Sequence, residues 1–122
     1  IIHRSAFVSE SAKISPGVFI MANCYIGPFT NIGNCTLISA NALIGHHSRI
    51  GKLCHLSMGS ITGSYVIMGH ASDVAMGATV IEKCQIGKYA VAGANSLVKY
   101  DIPDYEMHVG SPARLLKKVS FE

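Results

Sequence analysis

At 122 residues the chain can build one domain with a continuous core and has little left for a second. Only 14% of residues are charged, and the net charge of +3 is weak, scattered and free of any aromatic-basic stripe, which argues against a nucleic-acid-binding surface. Hydrophobic residues make up 49%, and 14–48 contains no Asp, Glu, Lys or Arg, yet polar residues interrupt every few positions, so no membrane-spanning helix is expected.

An apolar residue recurs at every sixth position: Ile2, Val8, Ile14, Ile20, Ile26, Ile32, Ile38, Ile44, Ile50 and Leu56, then through the weaker Thr62 and Ala92 to Val98. Four residues after each stands something small or β-branched, from Ala6 and Ala12 to Ser96 and Ile102. A hexapeptide array of this kind reads as a parallel β-helix. If three hexapeptides make one coil, residues 18 apart should stack. Asn23, Asn41, Gly59, Gly77 and Asn95 form such a column, as do Gly27, Gly45 and Gly63, and Gly33, Gly51, Gly69 and Gly87. Gly and Asn tolerate positive φ, so the first column reads as a corner that turns left-handed in every coil.

The stretch from Ile2 to Phe19 keeps the register but replaces the corner Gly and Asn with Ser5 and Ser11, as an N-terminal cap would. After Val98 the register fails, Pro103 removes a ladder donor and Gly110-Ser111-Pro112 marks a turn. The solenoid is therefore expected over 1–98, with 99–122 as a closing loop and a basic tail docked on the last coil. A β-solenoid with so few charges should cover some of its faces, which favours a homo-oligomer. Cys24, Cys54 and Cys84 fall on the small inward position and read as packing residues, whereas Cys35 is uncommitted. No metal or redox spacing is present, and free thiols suit a cytoplasmic location. Ile1 rather than Met opens the chain, as in a trimmed chain or a piece of a longer one.

Six histidines invite a chemical reading. His46 takes the third position of its hexapeptide, at a corner outside the core, where the residues alone read as a solvated ring. Asp73 lies one coil above His55, so the two side chains should be neighbours. Asn34, Lys52, His70 and Lys88 form a column whose like charges either fan into water or enclose an anion. His47 shares a column with Phe29 and Tyr65, an aromatic ladder that would suit an interface or a substrate contact.

The run Ile44-Gly-His-His-Ser-Arg-Ile-Gly-Lys-Leu-Cys-His-Leu-Ser-Met-Gly, with the closing Asp101-Ile-Pro-Asp and Val109-Gly-Ser-Pro-Ala-Arg, resembles the hexapeptide-repeat acyltransferases, especially the sialic acid and bacillosamine-type sugar acetyltransferases. The resemblance covers essentially the whole chain and implies an all-β, left-handed parallel β-helix; the left hand comes from the likeness alone, because generic parallel crossovers would be right-handed. It further implies an acetyl-CoA-dependent transferase that acylates an amine or hydroxyl of a sugar or nucleotide-linked amino sugar. Its assembly would be a homotrimer with sites between prisms, needing no metal, nucleic acid or membrane. On that likeness His46 is the general base, with His47 beside it where relatives carry an acidic residue. On the same likeness His55 contacts acetyl-CoA, while the charged column suggests that Lys52 or Lys88, with Arg114, Lys117 and Lys118 of the basic tail, meets its phosphates. Gly63 and Ser64 complete the residues expected to hold it. Family members also usually carry an N-terminal sugar-nucleotide-binding domain, which these 122 residues do not include.

Two other readings differ in class. The zinc carbonic anhydrase that shares this solenoid would need three converging histidines, one pair of them five residues apart, and no two histidines here have that spacing. A non-catalytic structural or assembly subunit is the alternative that the fold alone leaves open. The presence of His46 speaks against it.

Overall fold

The computed structural model describes residues 1–121. Strands of two residues follow one another every six positions: β1 (Phe7–Val8), β2 (Lys13–Ile14), β3 (Phe19–Ile20), β4 (Tyr25–Ile26), β5 (Asn31–Ile32), β6 (Leu37–Ile38), β7 (Leu43–Ile44), β8 (Arg49–Ile50), β9 (His55–Leu56), β10 (Ile61–Thr62), β11 (Ile67–Met68), β12 (Asp73–Val74), β13 (Thr79–Val80), β14 (Gln85–Ile86), β15 (Val91–Ala92) and β16 (Leu97–Val98). They sort by threes into parallel sheets on the faces of a prism. The first face holds β1, β4, β7, β10, β13 and β16; the second holds β2, β5, β8, β11 and β14. The third runs from β3 through β6, β9, β12 and β15 into β17 (Glu106–Gly110) and β18 (Ala113–Lys118). Partners such as Leu43↔Ile61 and His55↔Asp73 confirm the coil length of 18. The architecture is the left-handed parallel β-helix the resemblance implied.

Each strand carries one outward and one inward residue. The inward set is the apolar register: Ile20, Ile26, Ile32, Ile38, Ile44, Leu56, Val74 and Ala92 are at most 1% exposed, and the small residues four positions on fill the space between them. Ser60 Oγ and Thr62 Oγ1 are buried in this core without a hydrogen-bond partner among the described residues. Other inward hydroxyls are paired. Thr36 Oγ1 donates to the Gly51 carbonyl at 2.8 Å and accepts the Cys54 N–H at 3.1 Å.

The corners depart from the sequence reading. Positive φ is not confined to the Asn/Gly column. Phe29, His47, Tyr65 and Lys83 adopt φ of 58–67°, and so do Cys35, Leu53, Ala71 and Tyr89 at 56–58°. At each such corner the backbone N–H reaches the coil below, as His47 does to the Pro28 carbonyl at 2.9 Å. The other two glycine columns serve close approach instead. A Cβ on Gly45 would stand 2.6 Å from both the Gly63 carbonyl carbon and the Ser64 nitrogen.

Beyond Val98 the Asp101 and Asp104 carboxylates accept the Gln85 and Lys88 amides, each at 2.8 Å, and Ile102 bridges to Ile86. β17 then pairs parallel to β15, and β18 folds back antiparallel on β17. Glu106 accepts hydrogen bonds from His108 at 2.9 Å and from Lys118, and both hold its carboxyl below the usual range. Arg114 lies over the Tyr100 ring at 5.1 Å.

Candidate active site

Two corners of the prism collect the chemistry-bearing residues. The first lies between the first and second faces, after β7 (Leu43–Ile44). Gly27 permits the tight stacking there, since a Cβ on it would come within 2.8 Å of the His46 nitrogen. The corner residue His47 has φ 58°, which leaves both imidazoles exposed and side by side. His46 Nδ1 and His47 Nδ1 are 2.9 Å apart, a contact that requires one ring to donate and the other to accept. His47 stacks between Phe29 and Tyr65, with centroids at 5.1 and 4.9 Å, while His46 meets Tyr65 edge-on at 5.5 Å. The aromatic ladder read from the column is thus present. The Phe29, His47 and Tyr65 rings, with Asn31, Arg49 and Ile67, line a cleft of about 280 Å³. Gly63 and Ser64 sit one coil above Gly45 and His46, half-buried, and the Ser64 amide forms no hydrogen bond among the described residues.

The second collection lies where the second face turns into the third. Lys52 and Lys88 are exposed on the corner, with the half-buried His70 between them in the column. Lys88 borders a cavity of about 340 Å³ that Asp101, Pro103 and Asp104 also line. Three residues past Lys52, on β9 (His55–Leu56), His55 points outward. Its Nδ1 is 3.6 Å from Asp73 Oδ1 on the coil above, with the two side chains 41% and 44% exposed. Burial pushes the Asp73 carboxyl up from its ordinary value, and the His55 charge pulls it back only partly. His55 Nε2 lies 3.1 Å from Ser39 Oγ on the coil below, a partner the columns did not reveal.

The candidates therefore do not form one cluster within a chain. His46, His47, Gly63 and Ser64 share one corner; Lys52 and Lys88 share another, with His55 beyond it on the third face; Arg114 is on the hairpin. Nine residues separate His46 from His55, half of an 18-residue coil. Among the described residues no group of three or more His, Cys, Asp or Glu is arranged to hold a metal ion.

Repeat and coil together make the chain a hexapeptide-repeat protein of the left-handed β-helix class, and residues 11–46 match the family described as bacterial transferase hexapeptide (six repeats). The likeness then narrows toward sugar N-acetyltransferases. A mutant perosamine N-acetyltransferase from Caulobacter crescentus, in complex with CoA and GDP-perosamine, superposes with a TM-score of 0.93 at 33% identity, over 96% of this chain and 56% of that one. The acetyltransferase domain of PglB from Neisseria gonorrhoeae, in complex with acetyl coenzyme A, gives 0.93 at 28% identity, over 94% of this chain and 56% of that one. Serine acetyltransferase of Haemophilus influenzae is 40% identical over 42 residues, 34% of this chain and 16% of that protein. The chain thus spans little more than half the length of each of these two structures.

Proposed function

We propose that the chain is an acetyl-CoA-dependent acetyltransferase acting on an amine or hydroxyl of a sugar or nucleotide-linked amino sugar, as a cytoplasmic homotrimer that needs no metal. The observation that carries this reading is the exposed His46–His47 pair on a glycine-packed corner, in a fold whose neighbours at 33% and 28% identity hold CoA with GDP-perosamine, or acetyl-CoA. If His46 donates its Nδ1–H to His47, its Nε2 is left unprotonated and turned to serve as a base. His47 supplies the orienting acceptor, though not the negative charge a carboxylate would add.

The chemistry follows from that tautomer. As the acceptor nitrogen or oxygen attacks the thioester carbonyl, His46 Nε2 takes its proton, the C–S bond breaks and CoA leaves as the thiolate. Such proton transfer is worth about 10²–10⁴ in rate. The unpaired Ser64 amide, above His46 beside Gly63, is suited to the developing oxyanion. His55 would contact the acyl end of the donor, while Lys52, Lys88 and Arg114 meet its phosphates. Because His46 and His55 lie half a coil apart, a shared donor requires neighbouring prisms to contribute one ring each. The outward column Phe7, Tyr25, Leu43 and Ile61 on the first face, 38–58% exposed, offers the apolar surface for such packing.

Titration calorimetry with acetyl-CoA at fixed ionic strength is the first test, followed by turnover with amino-sugar nucleotides. Saturable binding near one per chain is expected, with His46→Ala retaining it while turnover falls by at least about 10². A confirmed trimer that does not bind acetyl-CoA at millimolar concentration would refute the reading in favour of a non-catalytic subunit.

A further inference from the structure

Three coils of the third face bring together a hydroxyl, an imidazole and a carboxylate in line. Ser39 Oγ lies 3.1 Å from His55 Nε2, and His55 Nδ1 lies 3.6 Å from Asp73 Oδ1. An ionised carboxylate only accepts, so Asp73 selects the tautomer with hydrogen on Nδ1, and Nε2 is then the acceptor for the Ser39 hydroxyl. The 3.6 Å contact exceeds hydrogen-bond length, as such contacts often do before substrate tightens them. All three side chains can be reached from solvent, since His55 and Asp73 are each close to half exposed and Ser39 is half-buried at the start of the turn. The Ala40 amide, one residue past Ser39, forms no hydrogen bond among the described residues. It is available to a developing oxyanion.

We infer that Ser39 is a nucleophile, activated by His55 and oriented through Asp73, and that the third face hydrolyses esters or thioesters of small acyl groups by way of an acyl-Ser39 intermediate. In the first step Ser39 Oγ bonds to the acyl carbon, its proton passes to His55 Nε2, and the alcohol or thiol departs carrying that proton. Water then attacks the acyl-Ser39 carbonyl, giving its proton to His55. The acid leaves, and Ser39 regains its hydrogen from His55. Asp73 touches neither reactant and is a positioning residue. The inference stands on this constellation alone and does not require acetyl-CoA to bind.

The test uses p-nitrophenyl acetate and the whole chain, so that failure of donor binding and failure of this inference remain separate outcomes. Mixing should release p-nitrophenolate in a burst of about one per chain, as an accumulating acyl-enzyme does. Peptide mapping of the quenched protein should find the acetyl group on Ser39. Ser39→Ala should abolish the burst and the adduct, and His55→Ala should slow acylation by about 10² or more. Asp73→Asn should slow it less and shift its pH profile, which a purely structural contact would not do. Ser57→Ala, one coil above Ser39, should react as the wild type does. An acetyl group found on Cys35, a lysine or His55 instead of Ser39, or no adduct at all, overturns the inference. Because the adduct is mapped on unaltered protein, either outcome stands even if a variant fails to fold.

Discussion

The same substitution, Thr to Val, should move stability in opposite directions at two core positions. Thr62 occupies the inward aliphatic position, is fully buried, and its hydroxyl has no partner among the described residues. Valine keeps the shape, removes an unpaired hydroxyl whose burial costs about 1–3 kcal/mol, and adds a methyl to the core. A gain of about 1–2 kcal/mol follows for Thr62→Val. At Thr36 the hydroxyl bonds both the Gly51 carbonyl and the Cys54 amide, and that amide has no other acceptor among the described residues. Thr36→Val strands it and should lose about 1–3 kcal/mol. Urea unfolding at matched protein concentration reads both as midpoint shifts without a change in slope. If Thr62→Val is no more stable than wild type, its hydroxyl is not unpaired. Shifts of the same sign at both sites would refute the hydrogen-bond reasoning outright.

Gly45→Ala should destabilise by about 1–3 kcal/mol or more, because the added Cβ would meet the Gly63 and Ser64 backbone of the coil above, which cannot move aside as a flexible side chain could. Gly59→Asn should be nearly neutral in the same denaturation assay, since Gly59 has open space around it and Asn already stands at the equivalent corners 23, 41 and 95. The depressed Glu106 carboxyl gives a second expectation. A lowered folded value stabilises the hairpin above the unfolded value near 4.5, and that contribution is lost as pH falls through the folded value. Hydrogen exchange should therefore show residues 106–118 opening on acidification before the coils do, and a hairpin as protected at pH 3 as at pH 7 would contradict it. Under native conditions a thiol reagent should modify Cys35 alone, because the other three thiols are buried and burial raises each of them. Reaction at Cys54 without unfolding would contradict that burial.

How far the sequence reached depended on which contacts follow its period. The inward register from Ile20 to Val98 was legible because each residue there is buried for the same reason, and period 18 located His55 beneath Asp73. The bulky left-handed corners were not legible. An L-residue with φ near 58°, such as His47 or Tyr65, costs about 1–2 kcal/mol locally, so sequence rules reserve that conformation for Gly and Asn. The hydrogen bond from each corner amide to the coil below overrides that preference. Ser39 was missed for a related reason. It meets His55 at a separation of 16, off the 18-residue column, because the imidazole reaches diagonally across the sheet. The Nδ1–Nδ1 contact of His46 and His47 arises from the corner's conformation, which the two letters do not encode.

The half-coil separation of His46 and His55 yields a decisive experiment on assembly under the proposed function. A thioester carbonyl is a single point, and one prism holds His46 at the corner between the first and second faces and His55 on the third face. If both serve one donor, His46 of one chain must work with His55 of its neighbour. The variants His46→Ala and His55→Ala would then each form inactive homotrimers. Refolded together in equal amounts, they assemble sites at random, and a site is intact only when one particular side comes from each variant. About one quarter of the sites meet that condition, so the mixture should recover about one quarter of wild-type turnover. A site contained within one chain would recover none, because every chain lacks one of the two histidines. Mixed trimers without activity would therefore refute the shared site.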